Sequence, residues 1–202
     1  MNRSKARVAV FVSGGGSNLQ ALIDAGKCGL LAAEIVLVVS SRRDAFGLER
    51  AAGEGIDTLV FKPKKYGSEE EAASALLGRL AEHGVEYIAL AGYLKLLPSA
   101  VVRAYPNRIV NIHPALLPKY GGKGMYGHRV HEAVLASGDA ESGPTVHLVN
   151  EVYDEGRILE QTRVPVHEND TVESLAGRVL AQEHKLYPRV LNKLIKGEYD
   201  LG

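Results

Sequence analysis

An asparagine and a histidine stand two residues apart at the end of an apolar run, in the segment 110–114. Because side chains alternate along a strand, Asn111 and His113 are predicted to share one face. An amide N–H beside an imidazole can stabilise a developing oxyanion and exchange a proton near neutral pH. A lone histidine is more often structural, but this pair at the end of a buried strand favours a catalytic site.

A catalytic histidine usually needs a partner that orients it, and the turn at 153–156 offers two carboxylates. Asp154 and Glu155 are both candidates, and the residues alone do not choose between them. His147 lies inside a neighbouring predicted strand, where packing or hydrogen bonding is its expected role.

A glycine-rich turn, residues 13–18, follows the first apolar run and opens the first amphipathic segment. Unpaired backbone N–H groups and the helix dipole at such a turn attract anions, and glycines allow close approach. The turn lacks the Gly-Lys-Ser/Thr of a Walker loop and the third glycine of a dinucleotide fingerprint. Arg42 and Arg43, after the second strand, would nevertheless suit the ribose phosphate of NADP. A phosphate site is favoured over an NADP site or a tight turn without a ligand.

Strands and helices alternate with short connections, which predicts an α/β fold with a doubly wound, mostly parallel sheet. The predicted strands are 7–12, 34–39, 58–61, 87–91 and 109–112, and the predicted helices between them are 17–25, 46–54 and 68–83. The second part is predicted as irregular chain at 114–127, a helix at 128–136, an antiparallel hairpin of 145–150 with 157–166, and a long C-terminal helix at 170–196. Pro188 is expected to break or kink that helix.

The composition is that of an ordinary globular chain of 202 residues, enough for one domain. Lys+Arg and Asp+Glu are both 24, and this balance disfavours a protein that grips nucleic acid through bulk positive charge. The single cysteine, Cys28, excludes an internal disulfide framework and a thiolate zinc cluster. With no apolar run long enough to cross a membrane, the expectation is a soluble, cytoplasmic protein.

Segments along the whole chain resemble the folate-dependent glycinamide ribonucleotide formyltransferases. They are residues 14–20, 44–51, 90–97, 111–120, 182–184 and 187–188. The Asn-x-His-Pro-x-Leu-Leu-Pro block is highly specific for folate formyltransferases. The resemblance implies one Rossmann-like formyltransferase domain over 1–202, with a phosphate-binding, nucleotide-type half at about 1–110. A catalytic and folate-binding half follows at about 111–202.

The resemblance also implies an activity: transfer of the formyl group of 10-formyltetrahydrofolate, a co-substrate, to the amine of glycinamide ribonucleotide in purine synthesis. No metal is implied. The implied catalytic residues are Asn111, His113 and Asp154, which follows His147 by seven residues as in the family. The implied substrate-binding residues are Gly16, Ser17, Asn18 and Glu183, and the implied folate-binding residues are Leu94, Lys95, Leu96, Leu97, Asn111 and Asp154.

In this interpretation a cationic His113 stabilises the oxyanion and then protonates the departing folate nitrogen, while Asp154 raises the pKa of the imidazole. One departure concerns an arginine that in the family contacts folate near Ser68. Here acidic residues 69–71 occupy that stretch, and Lys64 and Lys65 are the candidates to replace it.

Three alternatives remain on sequence grounds. A methionyl-tRNA formyltransferase is expected to carry a further C-terminal domain, and a formyltetrahydrofolate hydrolase an N-terminal regulatory one. A non-catalytic NADP-binding module belongs to a different class. The expected partners are small-molecule substrates, with neither nucleic acid nor membrane, and the expected assembly is a monomer or a homodimer.

Overall fold

The computed structural model describes residues 5–201. The strands are β1 (Ala6–Val12), β2 (Ala33–Ser40), β3 (Asp57–Val60), β4 (Tyr87–Leu90), β5 (Ile109–His113), β6 (Glu141–Ser142), β7 (Thr145–Leu148), β8 (Ile158–Gln161) and β9 (Val164–Pro165). The helices are α1 (Ser17–Lys27), α2 (Phe46–Gly53), α3 (Glu69–Glu82), α4 (Ser99–Ala104), α5 (His128–Ser137) and α6 (Val172–Ile195), with a short 3-10 turn at Pro63–Lys65.

Seven strands form one sheet in the order β3-β2-β1-β4-β5-β7-β8. The first five in this order pair in parallel, whereas β7 pairs antiparallel with both β5 and β8. The predicted doubly wound, mostly parallel sheet with an antiparallel hairpin is therefore confirmed. The chain winds outward in opposite directions from β1 and β4, and ligands of such sheets bind outside the carboxyl ends of the strands at this switch point.

Alternation along β1 explains how one strand is buried on both faces. Val8, Val10 and Val12 pack into a cluster with apolar residues of α1 and α6. Ala9 and Phe11 point the other way, into a cluster with α3 and α4. The continuous apolar run thus reflects a sheet covered by helices on both sides, which fixes the carboxyl ends of β1, β4 and β5 along one edge.

Helix α6 runs without a break through Pro188, so a break there is wrong, whereas a kink stays a prediction. A proline inside a helix removes one backbone hydrogen bond and costs about 3 kcal/mol. The neighbouring Tyr187 is fully buried and donates its hydroxyl hydrogen bond to the carbonyls of Leu90, 2.8 Å, and Val110, 3.1 Å. Packing of this kind along α6 opposes the cost of the proline and joins the helix to β4 and β5.

Two further parts of the chain differ from the sequence prediction. Helix α4 was not predicted, because six residues are too few to display an apolar period. The second hairpin strand ends at Gln161 rather than continuing to residue 166. Val164–Pro165 pairs instead with Glu141–Ser142 in a separate two-stranded sheet.

Within residues 5–201, no helix combines the length and the apolarity that a bilayer crossing requires. Cys28 is exposed and carries a free thiol.

Candidate active site

The three side chains predicted as catalytic meet at the carboxyl end of β5. Asp154 Oδ1 lies 3.4 Å from Asn111 Nδ2, and Asp154 Oδ2 lies 3.6 Å from His113 Nδ1. Glu155, the other candidate acid, is exposed to solvent. The fold therefore brings Asp154, and not Glu155, to the asparagine and histidine.

His147 sets the orientation of the Asn111 amide. The Nδ1–H of His147 donates to the carbonyl of Leu148 at 2.8 Å, since a carbonyl oxygen can only accept. Its Nε2 then accepts from Asn111 Nδ2 at 3.0 Å. The second N–H of that amide faces Asp154 across the longer 3.4 Å contact. The hydrogen bonding expected of His147 thus serves the candidate site itself.

His113 is 4% exposed, and the carbonyl of Tyr120 determines which of its nitrogens carries the proton. Nε2 donates to this carbonyl at 2.8 Å, which leaves the lone pair of Nδ1 facing Asp154. Burial lowers the pKa of His113 below its ordinary value of 6.5, and the nearby charge of Asp154, which raises it, does not compensate fully. Burial therefore opposes the cationic form that the sequence interpretation assigns to His113, whereas Asp154 raises the pKa of His113 as expected.

Asp154 is held as a carboxylate by its neighbours. Burial raises the pKa of Asp154, but contacts with His147, His113 and the backbone N–H of Gly122 outweigh it, and the pKa lies below its usual value. The Gly122 N–H donates to Oδ2 at 2.8 Å. The backbone of Asp154 has a φ of 58°, in the left-handed region that Asp and Asn tolerate better than most residues.

These groups line one cavity of about 800 Å³. The predicted site residues that line it are Asn18, Leu94, Lys95, Leu96, Leu97, Asn111, His113, Asp154 and Glu183. Gly16 and Ser17 do not line it, although they are the two residues that precede Asn18. Lys64 and Lys65 lie outside the lining as well, so neither replaces the missing arginine within this cavity.

The loop at 94–97 is tied to the ends of β1 and β2 by serines. Ser13 Oγ accepts from the backbone N–H of Leu94 at 2.9 Å and lies 2.7 Å from Ser41 Oγ. Leu94 is 42% exposed at the cavity and Leu97 is buried. Exposed apolar side chains on an anchored loop offer a surface to which a flat aromatic ligand can bind.

Glu183 on α6 reaches Asn18 on α1 across the cavity wall. Asn18 Nδ2 donates to Glu183 Oε2 at 2.5 Å, and Glu183 is 7% exposed. Burial raises the pKa of Glu183, and the bond from Asn18 only partly opposes this. Among residues 5–201, Asn18 Oδ1 has no hydrogen-bond partner. This wall therefore presents a carboxyl group and an unpaired acceptor to a ligand with N–H groups.

Gly16 is the position of the glycine turn that does not accept a side chain. It caps α1 with a φ of 70°, and a Cβ built on it would lie 2.8 Å from the Cα of Gly47. Nothing comparable applies to Gly14, around which a Cβ would meet no atom within 4 Å. Close packing of the turn on α2 thus sets the position of the unpaired N–H groups at the start of α1.

We expect Gly16→Ala to lower the free energy of unfolding by about 2–4 kcal/mol, because the left-handed backbone and the close contact both penalise a side chain. Urea denaturation followed by circular dichroism measures this difference. Gly14→Ala is the matched control and should stay within about 0.5 kcal/mol of the unsubstituted protein. Equal stability of the two variants would contradict the packing role of Gly16.

Several residues of the site were not predicted from the sequence. The backbone groups of Tyr120 and Gly122 carry no sequence signal, because any residue supplies them. His131 lines the cavity, and its only signal was its position three residues after His128 in a predicted helix. Arg42, which the sequence suggested only for the ribose phosphate of NADP, also lines the cavity, with its guanidinium bound to Asp44. Across the described part of the chain, no group of three or more His, Cys, Asp or Glu side chains is arranged to hold a metal ion.

The profile of the formyl transferase family matches residues 6–191. A protein of Arabidopsis thaliana named phosphoribosylglycinamide formyltransferase, chloroplastic, is 51% identical over 94% of this chain and 65% of its own length. A Haemophilus influenzae protein named phosphoribosylglycinamide formyltransferase is 38% identical over 96% of this chain and 90% of its own length. The crystal structure of glycinamide ribonucleotide transformylase 1 from Symbiobacterium toebii matches with a TM-score of 0.91 and 40% identity, covering 99% of this chain and 92% of that one.

This chain spans slightly less than two thirds of the length of the Arabidopsis relative. The family match covers nearly all of the described residues, including β5, the turn with Asp154 and most of α6. The chain belongs to the formyl transferase family.

Proposed function

We propose that this chain transfers the formyl group of 10-formyltetrahydrofolate to the amine of glycinamide ribonucleotide, a step of de novo purine synthesis. The observation that carries this proposal is the meeting of Asn111, His113 and Asp154 in one cavity with the loop at 94–97 and with Glu183. The volume, about 800 Å³, is within the range of small-molecule sites. The relatives named phosphoribosylglycinamide formyltransferase support formyl transfer to this acceptor.

Asn111 is the proposed donor to the oxyanion. The amine nitrogen attacks the formyl carbon, a C–N bond forms, and the carbonyl electrons move to oxygen. One N–H of Asn111 is held by His147, and the other has only the long contact to Asp154. This second N–H can exchange its long contact for the new oxyanion, and losing such a donor typically costs about 10²- to 10³-fold in rate.

His113 and Asp154 are the proposed route of the proton. After the attack the amine nitrogen carries one proton too many. The neutral His113 can accept that proton at Nδ1, directly or through a water molecule, because the resulting imidazolium faces the ionised Asp154. The imidazolium then returns the proton to N10 of the folate as the bond from N10 to the formyl carbon breaks. Tetrahydrofolate and the formylated amine leave, and His113 is neutral again.

The other predicted residues have proposed roles in binding. The N–H groups at Gly16, Ser17 and Asn18 would hold the phosphate at the start of α1. Glu183 would bind the glycinamide end, since its carboxyl group lies on the cavity wall beside Asn18. The loop at 94–97 would contact the folate.

The experiment is a direct assay of the purified chain with both substrates. We expect formylated ribonucleotide, detected by mass spectrometry, to appear together with tetrahydrofolate, and neither product without glycinamide ribonucleotide. Release of formate regardless of the ribonucleotide would contradict the proposal and indicate a hydrolase. Formylation of methionyl-tRNA in its place would indicate the other folate transferase. Micromolar NADPH binding without formyl transfer would indicate the NADP-binding module.

The proposal extends to the organisation of the protein. We propose that residues 1–202 act as one domain, since β4 and β5 pair across the division near residue 110. The proposed partners are the two small-molecule substrates, without metal, nucleic acid or membrane, in a monomer or homodimer. A free, exposed Cys28 fits a reducing compartment, and we propose the cytoplasm.

A further inference from the structure

His131 is a buried titratable residue of the cavity that the proposed mechanism leaves unused. It lies on α5, is 4% exposed, and lines the same cavity as His113. Among residues 5–201, its buried Nδ1 has no hydrogen-bond partner. A buried polar atom without a partner costs free energy, and because His131 lines the cavity, a ligand bound there can supply the missing partner.

The position of α5 indicates which substrate meets His131. Val134, one turn further along α5, packs with Leu175 and Val179 of α6. The adjoining face of α6 contributes Ala176, Leu180 and Glu183 to the cavity. His131 therefore belongs to the wall that carries Glu183, the proposed ribonucleotide side, and not to the loop at 94–97.

The charge of His131 indicates which part of that substrate it suits. Burial, together with the charges of His128 and His113, lowers the pKa of His131 to about 4, so its imidazole is neutral at physiological pH. A phosphate dianion favours a cationic partner. A hydroxyl group both donates and accepts, and so satisfies a neutral imidazole nitrogen in either tautomer.

We propose that His131 is a binding residue for the ribonucleotide substrate, whose ribose hydroxyl completes the hydrogen bonding of the buried Nδ1. This inference rests on the proposed function and adds to it a determinant of ribose recognition on α5.

The test compares a substitution that keeps a polar atom near the position of Nδ1 with one that keeps none. The side-chain amide of His131→Asn stands near the position of Nδ1, whereas His131→Leu fills a similar volume without polar atoms. We expect His131→Leu to raise the KM for glycinamide ribonucleotide about 3- to 10-fold, with kcat and the KM for the folate within about 2-fold of their original values. His131→Asn should recover at least half of that loss on a logarithmic scale.

Substrate analogues lacking one ribose hydroxyl complete the test. The analogue that lacks the contacting hydroxyl should bind the unsubstituted protein and His131→Leu with equal affinity in calorimetry. The inference is overturned if His131→Leu has an unchanged KM for the ribonucleotide, or if the substitution changes the KM for the folate instead. If circular dichroism shows that a variant fails to fold, the affinities of the analogues for the unsubstituted protein are compared instead. Equal affinity for every analogue and for the full ribonucleotide excludes a hydroxyl contact. Measurements on the unsubstituted protein separate the proposed function from the role of His131. If the protein binds the ribonucleotide but transfers no formyl group, only the proposed function is contradicted.

Discussion

Replacing Asp154 with asparagine is expected to lower kcat by about 10³- to 10⁴-fold, the scale seen when a neutral amide replaces the carboxylate partner of a catalytic histidine. Two effects combine. The imidazolium formed at His113 loses the negative charge that faces it at 3.6 Å. The amide nitrogen of asparagine also faces an N–H donor in either orientation, that of Gly122 at the position of Oδ2 or that of Asn111 at the position of Oδ1.

The fold should tolerate this substitution. Asparagine accepts the left-handed backbone of residue 154, with its φ of 58°, as readily as aspartate does. Glu155→Gln is the matched control, since it removes a neighbouring carboxylate that is exposed to solvent. Steady-state kinetics of both variants, with thermal unfolding as a check on folding, decides the matter. A loss below about 10-fold for Asp154→Asn, or an equal loss for Glu155→Gln, would remove Asp154 from the proposed mechanism.

Substituting His113 is the second change for which a large effect is expected, a fall in kcat of about 10²- to 10⁴-fold, as for loss of a general acid–base group. His113→Gln tests this more cleanly than His113→Ala, because a glutamine amide can still donate to the carbonyl of Tyr120 but cannot take up a proton. Binding of glycinamide ribonucleotide, measured by calorimetry, should be nearly unchanged. His83→Gln is the control, since His83 forms its own pair with Asp57 at 3.0 Å outside the cavity lining.

The pH profile gives the second measurement on His113. The proposed mechanism uses the neutral imidazole, so kcat/KM falls as the pH drops through the pKa of His113. Burial lowers that pKa, and the fall should therefore occur below pH 6.5. Asp154 raises the pKa of His113 within the same site, so Asp154→Asn should move the fall to still lower pH. Near-normal turnover by His113→Gln, or a fall that begins above pH 7, would rule out this role for His113.

Local sequence patterns were sufficient to predict the strands and helices that form the layers of the fold. Every predicted strand and helix is present within two residues at most of its ends, apart from the hairpin, whose strands are shorter. Ser68 illustrates why: its hydroxyl accepts from the N–H of Glu71 at 3.1 Å, an interaction confined to one helical turn. The break considered at Pro188 is absent because the contacts that oppose the cost of a proline come from distant strands.

By itself, the sequence determined which residue types stand at the ends of the strands. Asn111 and His113 are two apart on a buried strand, and the glycine turn follows another, so alternation and chain order were enough to find them. The family resemblance already favoured Asp154 over Glu155, but only the tertiary structure placed Asp154 beside them, joined His147 and the backbone of Tyr120 and Gly122 to the site, and buried His113. These features depend on burial and on contacts between residues that are distant in sequence. The spacing of neighbouring residues encodes neither burial nor such contacts.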